Sequence, residues 1–495
     1  MISRREYILL ALSSILLITL FSACSWLYPL NPWDDANCFT TIAKSMLDGK
    51  VLYRDIFDQK GPLLFLIHVA SAWAFERPFL GIYFLQILCL FGYLVYSLKT
   101  IRLFRQGSVA CATLLLIALA GVTSDFYYYG DTVEEFSMPI LAYSFYLFLR
   151  YARNNELPSV TESLFLGLGY AAVFWMKFTV LAMPLGSLLV ALVLVCIRRQ
   201  WRQILPVMGG MILGFFFLTT LILLIFVPQQ AVGDVMDGYF GYNLFHYHLY
   251  NEDTPSDMGF YPLRWLLFIL LVTPICFVKT KPAVKWMVVV SWAFSLVLMA
   301  VTTVYIYYFL VLFIFPPLLV KWIPTVWNKT RVALCVVLAA IFVGSSFNFV
   351  TLCRGTFPHA ILNVVRSLED EPDDTPILQY HTRETGLYTY SRFSVPVCIF
   401  FQLSVVHQDY LDEQEAELNS DCCSYVIMKD GRLNHPDYVQ IGEYPEPFRA
   451  LLFVHPQAWL YQRTGLKCLK PLDVENAIPT VRKATISTFR LYRRR

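Results

Sequence analysis

Residues 31–39, NPWDDANCF, place adjacent carboxylates, Asp34 and Asp35, just behind the apolar run 7–28, YILLALSSILLITLFSACSWLY. Further on, residues 54–64, RDIFDQKGPLL, set Lys60 beyond Asp55 and Asp58. The 495-residue chain around these motifs is 57% apolar and only 15% charged, with mean hydropathy +0.54. Soluble domains carry about 25% charged residues, so the sequence reads as an integral membrane protein. Apolar runs of the length needed to cross about 30 Å of hydrocarbon recur from residue 7 to residue 350. The first follows Arg4 and Arg5 and lacks a small-residue cleavage site, so it reads as an uncleaved helix. A net charge of +3 offers no footprint for nucleic acid.

Lys and Arg gather in short cytoplasmic loops. The clusters Lys99/Arg102/Arg105, Arg150/Arg153, Arg198/Arg199/Arg202, Lys279/Lys281/Lys285 and Lys321/Lys329/Arg331 then put the N-terminus inside and the C-terminal segment outside. Residues 62–76, PLLFLIHVASAWAFE, are short for a crossing and read as an interfacial or re-entrant helix of the first outer loop, 29–78. Further spans are expected near 79–103, 108–126, 135–152, 162–176, 178–197, 204–227, 261–278, 284–303, 305–323 and 331–350. With residues 7–28 this makes about eleven crossings, and Lys177 falls at an outer turn. The expected fold is a polytopic α-helical membrane module over 1–352, with surface helices, and a C-terminal extracytoplasmic α/β domain over 353–495.

On this path Asp34, Asp35, Asp55, Asp58, Asp131, Glu134 and Glu135 all face outward. The later spans are nearly free of acidic residues, which argues against an ion path, and no inverted repeat of the transporter kind is evident. Residues 34–49 read as a helix lying along the membrane. Ala36, Phe39, Ile42, Ala43, Met46 and Leu47 are spaced for one apolar face, and Gly49 suits its stop. The acidic pair then sits where the helix dipole favours carboxylates; a plain N-cap explains it as well. Lys60 also suits snorkelling to headgroups. Residues 127–139, YYYGDTVEEFSMP, bring a second acidic cluster, in which Thr132 and Glu135 have capping-box spacing. Carboxylates serve as general bases or hold a divalent cation, and lysines neutralise phosphate. Two acidic clusters with Lys60 and Lys177 at one membrane depth suit a lipid-phosphate substrate.

Residues 33–63, WDDANCFTTIAKSMLDGKVLYRDIFDQKGPL, resemble the first outer loop of the GT-C superfamily of polyprenyl-phosphate-sugar glycosyltransferases. The similar branch contains protein O-mannosyltransferases and the lipid A aminoarabinose transferase. Residues 130–139 and 376–404 are similar to the second acidic loop and the C-terminal domain of bacterial members. The resemblance implies that Asp34 is the catalytic carboxylate, with Asp35 its acidic neighbour. It implies that Lys60, with Lys177, meets the donor phosphate, and that Asp131, Glu134 and Glu135 form the second acidic loop. Tyr307 and Tyr308 stand where related chains often carry a histidine. It implies inverting transfer from a polyprenyl-phosphate sugar to a cell-envelope glycan, lipid or protein. Some members use a divalent metal, so Mg or Mn is a candidate cofactor, with Asp35 and Glu134 as candidate ligands.

In the loop 228–260, Tyr242 joins Tyr307 and Tyr308 as a candidate wall of a substrate groove, although interfacial aromatics are common in any membrane protein. His246, His248, Asp234 and Asp237 offer a weaker metal pattern. In the tail, 375–381, 423–430 and 438–444 read as strands and 410–420 as a polar helix. The end 490–495, RLYRRR, reads as a solvated basic tail. Cys353, Cys398, Cys422, Cys423 and Cys468 lie on the oxidising side, with pairing unreadable from sequence. A transporter or flippase for lipid-linked sugars, and a polysaccharide polymerase, are the competing readings.

Overall fold

Residues 2–105, 108–246, 280–301, 305–322, 328–355, 357, 359–382, 386–401, 408–446 and 487–495 are described in a computed structural model of the protein. They separate into two units. One holds the described residues of Met1–Asn31, Gln59–Tyr239 and Leu263–Arg354, the other those of Pro32–Asp58, Phe240–Pro262 and Gly355–Arg495. The expected span 261–278, His248 and Cys468 lie outside the described residues.

The chain runs through α1 (Arg4–Phe21), α2 (Asp34–Leu47), α3 (Pro62–Ala74), α4 (Leu80–Arg102), α5 (Ser108–Thr123), α6 (Val133–Asn154), α7 (Val160–Lys177), α8 (Ala182–Arg198) and α9 (Trp201–Phe226). Pro282–Val301, Lys329–Ser345 and Phe347–Arg354 follow in the first unit. Among the described residues, Leu80–Arg102, Val160–Arg198 and Trp201–Phe226 are long and apolar enough to cross a membrane. Helix α3 has 13 residues, about 20 Å at 1.5 Å per residue, and is too short to do so.

Three expected spans are corrected. The first helix stops at Phe21, because Ser22 and Ser25 turn their hydroxyls onto nearby backbone, at Cys24 N and Thr19 O. Of the expected span 305–323, the described residues 305–322 form two 3₁₀ segments, Ile306–Ile314 and Pro316–Trp322, since Pro316 and Pro317 lack the N–H that a continuous α-helix needs. The span 331–350 ends at Ser345, where the chain bends by 74° and Ser346 caps the next helix through Phe349 N.

Charge is sorted along the first unit. Arg150 holds Glu162 at the start of α7, and Arg198 at the end of α8 donates to Tyr151 O and Ala152 O. Both ends of the run 160–198 thus return to the C-terminal end of α6, so the run doubles back near Lys177. Lys281 reaches Arg153 O, Arg153 lies over Phe104, and Arg102 meets Glu6. Arg102, Arg150, Arg153, Arg198 and Lys281 therefore share one end of the helices. Glu134 and Glu135 occupy the opposite end of the 22-residue α6, about 30 Å away. Helices α7 and α9 approach so closely that a side chain at Gly214 would strike the Leu164 carbonyl, the small-residue packing typical of membrane helices.

In the second unit, β1 (Ile377–Gln379), β2 (Tyr425–Lys429), β3 (Tyr438–Glu446) and β4 (Ser487–Arg494) form one sheet in the order β1-β2-β4-β3. β1 runs parallel to β2, and β4 is antiparallel to both of its neighbours. The basic end is thus an inner strand rather than a loose tail. Phe489, Leu491 and Tyr492 are buried, while Arg490 pairs with Glu443 and Arg494 with Asp421. Helices Ala360–Ser367 and Gln408–Asn419 pack on the sheet.

Helix α2 belongs to this unit and is covered on its polar side as well. Thr389 Oγ1 donates to Asn37 O at 3.1 Å, and Lys44 Nζ donates to Tyr388 O at 2.7 Å and to Ser391 O. Lys50 Nζ donates to Val395 O, and Phe57 N to Cys398 O. The face left to headgroups by the amphipathic pattern is therefore buried under residues 388–398. Lys44→Met is expected to destabilise this unit by about 2–3 kcal/mol, the worth of a charge-assisted hydrogen bond. A lower thermal midpoint in detergent would show it, and an unchanged midpoint would remove the clamp.

Candidate active site

In the first unit the two lysines singled out by sequence flank one hydrogen bond. Gly61 N–H donates to Met176 O at 3.0 Å, which sets Lys60 beside Lys177 along the joined backbones. Any side chain at position 61 would collide with the Trp175 carbonyl, so the Lys-Gly-Pro turn needs its glycine there. Pro62 then opens α3, where its missing N–H costs nothing. Lys177 itself is extended (φ −163°, ψ 95°) at the break between α7 and a 3₁₀ turn over Phe178–Leu181. Tyr239 holds that break from both sides: its hydroxyl donates to Phe174 O at 2.6 Å and accepts from Phe178 N at 2.9 Å.

Lys177 Nζ donates to Glu134 Oε1 at 2.7 Å, with side chains 14% and 3% exposed. The ammonium lies 3.4 Å from the Tyr308 ring centroid and 5.7 Å from that of Tyr307. A cation on an aromatic face is stabilised by the ring quadrupole. Lys177, Glu134, Tyr307 and Tyr308, separate motifs in the sequence, thus meet in one cluster.

The second acidic loop is more completely bonded than a capping box. Thr132 Oγ1 accepts from Glu135 N at 3.1 Å, but the Glu135 carboxylate does not return the bond to Thr132. It accepts instead from Asp131 N at 3.0 Å, Gln86 Nε2 at 2.9 Å and the Tyr127 hydroxyl at 2.7 Å. Asp131 is buried in the left-handed region (φ 69°), and both its carboxylate oxygens lie 3.1 Å from His68 Nε2. Sequence reasoning missed His68, Gln86 and Tyr127. The signal that finds the first two is a polar group inside an apolar run, which in a membrane protein marks a function or a buried network.

In the second unit Asp34 and Asp35 occupy the first turn of α2, half-buried. The N-cap position is Trp33 and carries no side-chain cap bond, so the acidic pair is not a plain N-cap. It retains the favourable end of the helix dipole. Asp58 is buried and accepts from the Cys38 thiol at 3.8 Å. Tyr242 is buried and packs edge-on against Phe57, ring centroids 5.1 Å apart. Cys353, Cys398, Cys422 and Cys423 are free thiols; burial pushes that of Cys398 up to about 12.

Among the described residues no three His, Cys, Asp or Glu side chains come together as ion ligands would, including Asp234, Asp237 and His246. Of the candidate ligands, Glu134 is already held by an ammonium.

No protein-family model matches the chain, and no curated protein matches it. Two solved structures of ArnT from Cupriavidus metallidurans do. The one bound to undecaprenyl phosphate aligns at TM-score 0.60, covering 86% of this chain and 94% of that one. The apo state aligns at TM-score 0.58, covering 85% and 92%. Identity is 12% in both. The chain therefore shares the fold of these two ArnT structures.

Proposed function

We propose that the protein is a membrane glycosyltransferase that moves a sugar from a polyprenyl-phosphate donor to an acceptor at the outer face, with inversion. The observation that supports this reading is the Gly61–Met176 hydrogen bond, which joins the backbones next to Lys60 and Lys177, the latter paired with Glu134. Two lysines carried on joined, rigid backbones suit a phosphate whose charge grows as the glycosidic bond breaks. Tyr239 and Gly61 fix that backbone before substrate arrives, so little reorganisation is needed in the transition state.

In this proposal Asp34 takes the proton of the acceptor hydroxyl as its oxygen attacks the anomeric carbon, and polyprenyl phosphate leaves. Asp35 supports that carboxylate. Lys60 and Lys177 stabilise the leaving phosphate, and Tyr307 and Tyr308 line the donor side. The acceptor is a glycan, lipid or protein of the cell envelope. The sorting of acidic and basic ends supports a cytoplasmic N-terminus with the chemistry outside.

Purified protein given a panel of polyprenyl-phosphate sugars is expected to release polyprenyl phosphate from at least one of them; silence across the panel would end the proposal. In this proposal the lysines, rather than a metal, meet the phosphate charge, so turnover is expected to persist within about twofold in EDTA, a change smaller than the loss of one good hydrogen bond. Activity lost on chelation and restored by Mg²⁺ or Mn²⁺ would return a metal to the mechanism.

A further inference from the structure

His68 and Asp131 form a buried pair that the proposed reaction does not use. Their side chains are 1% and 0% exposed. His68 Nδ1 lies 2.9 Å from Leu64 O, a carbonyl that can only accept, so Nδ1 carries a proton. His68 Nε2 faces both Asp131 carboxylate oxygens at 3.1 Å. A neutral imidazole protonated at Nδ1 would turn a lone pair toward those oxygens. The contact therefore holds one further proton, on Nε2 or on the carboxyl. A nearly symmetric approach to both oxygens fits an ionised carboxylate receiving an N–H fork. A neutral acid would direct its proton from one oxygen only.

The position of the pair gives it a consequence. Asp131 stands in the left-handed backbone region, which costs free energy for a residue other than Gly. Its carboxylate is held by His68 on α3, and its N–H by Glu135 on α6. The same turn leads through Thr132 into Glu134, the partner of Lys177. Helix α3 begins at the Gly61 turn that sets Lys60. His68 is thus on the short rigid element joining Lys60 to the acidic loop.

We propose that His68 is an imidazolium, paired with the Asp131 carboxylate, that positions the acidic loop for phosphate binding at Lys60 and Lys177. It is a positioning residue and touches no reacting atom. The phosphate half of this inference rests on the glycosyltransferase reading; the charged state of the pair does not.

Nitrogen-15 NMR of histidine-labelled wild-type protein in detergent, assigned by comparison with His68→Gln, tests the charge. Both ring nitrogens of His68 should carry protons near neutral pH; an unprotonated nitrogen would overturn the ion pair. A double-mutant cycle in polyprenyl-phosphate affinity tests the positioning. His68→Gln should weaken binding about tenfold, within the range of coupling between neighbouring groups. In the Lys177→Met/Glu134→Gln background the same change should cost clearly less, only the part carried by Lys60 remaining. Equal losses in both backgrounds would mean general destabilisation and would overturn the positioning role. His68→Asn, too short to span the contact, should be weaker than His68→Gln; the reverse order would also count against it. Wild-type protein that binds no polyprenyl phosphate would overturn the donor-site reading and the positioning with it, while the ring nitrogens would still decide the pair.

Discussion

Asp34→Asn is expected to slow sugar transfer by about a hundred- to ten-thousandfold, the contribution of a positioned general base. The substitution keeps the size of the side chain and its place on the first turn of α2, and it removes the basicity together with the charge. Asp34 is half-buried at the helix end, while the packed residues run from Ala36 to Ala43. The loss of the carboxylate from the helix N-terminus should cost folding about 0.3–1 kcal/mol, far less than the fall in rate. The fall should appear in kcat at saturating donor, because the proton is taken only as the acceptor attacks. Asp35→Asn should cost less than Asp34→Asn. Equal turnover by Asp34→Asn and wild type would mean that the base lies elsewhere.

Lys177→Met should produce the second largest effect, and on two observables. Removing the ammonium strands the Glu134 carboxylate, whose side chain is only 3% exposed. Breaking a buried pair from one side costs about 3–5 kcal/mol, which would lower the thermal midpoint markedly. Turnover should also fall about a hundred- to a thousandfold, as when a charge-stabilising donor is lost from an active site. Adding Glu134→Gln should recover most of the stability, since the unpaired charge is gone. It should not recover turnover. If the double variant regained wild-type rates, Lys177 would be a packing and pairing residue with no part in phosphate departure.

Much of this arrangement could be read before any coordinates. The two short apolar spans on either side put Lys177 at a turn, and α7 and α8 do return together to the end of α6. The short stretches 375–381, 423–430 and 438–444, read as strands, hold β1, β2 and most of β3. Other features stayed hidden for physical reasons. β4 reads as a charged tail because its arginines are satisfied by Glu443 and Asp421, partners far away in the chain. The 3₁₀ segments at 306–322 have the same hydropathy as a membrane helix, so composition alone does not separate them. His68 looks like one polar residue in an apolar run until Asp131 is set opposite it.

By itself the sequence determined that the chain is a membrane protein, where its charges segregate, and which carboxylates and lysines stand at the loops. Those follow from the cost of placing charge in hydrocarbon, which acts on each residue whatever its distant neighbours. Only the tertiary structure decided which of those groups meet. Lys177 chooses Glu134 and Tyr308, Asp131 chooses His68, and α2 takes residues 388–398 as its cover. Hydrogen bonds and ion pairs act over about 3 Å, and what brings residues so far apart in sequence to that distance is the packing of the helices, which no local pattern encodes.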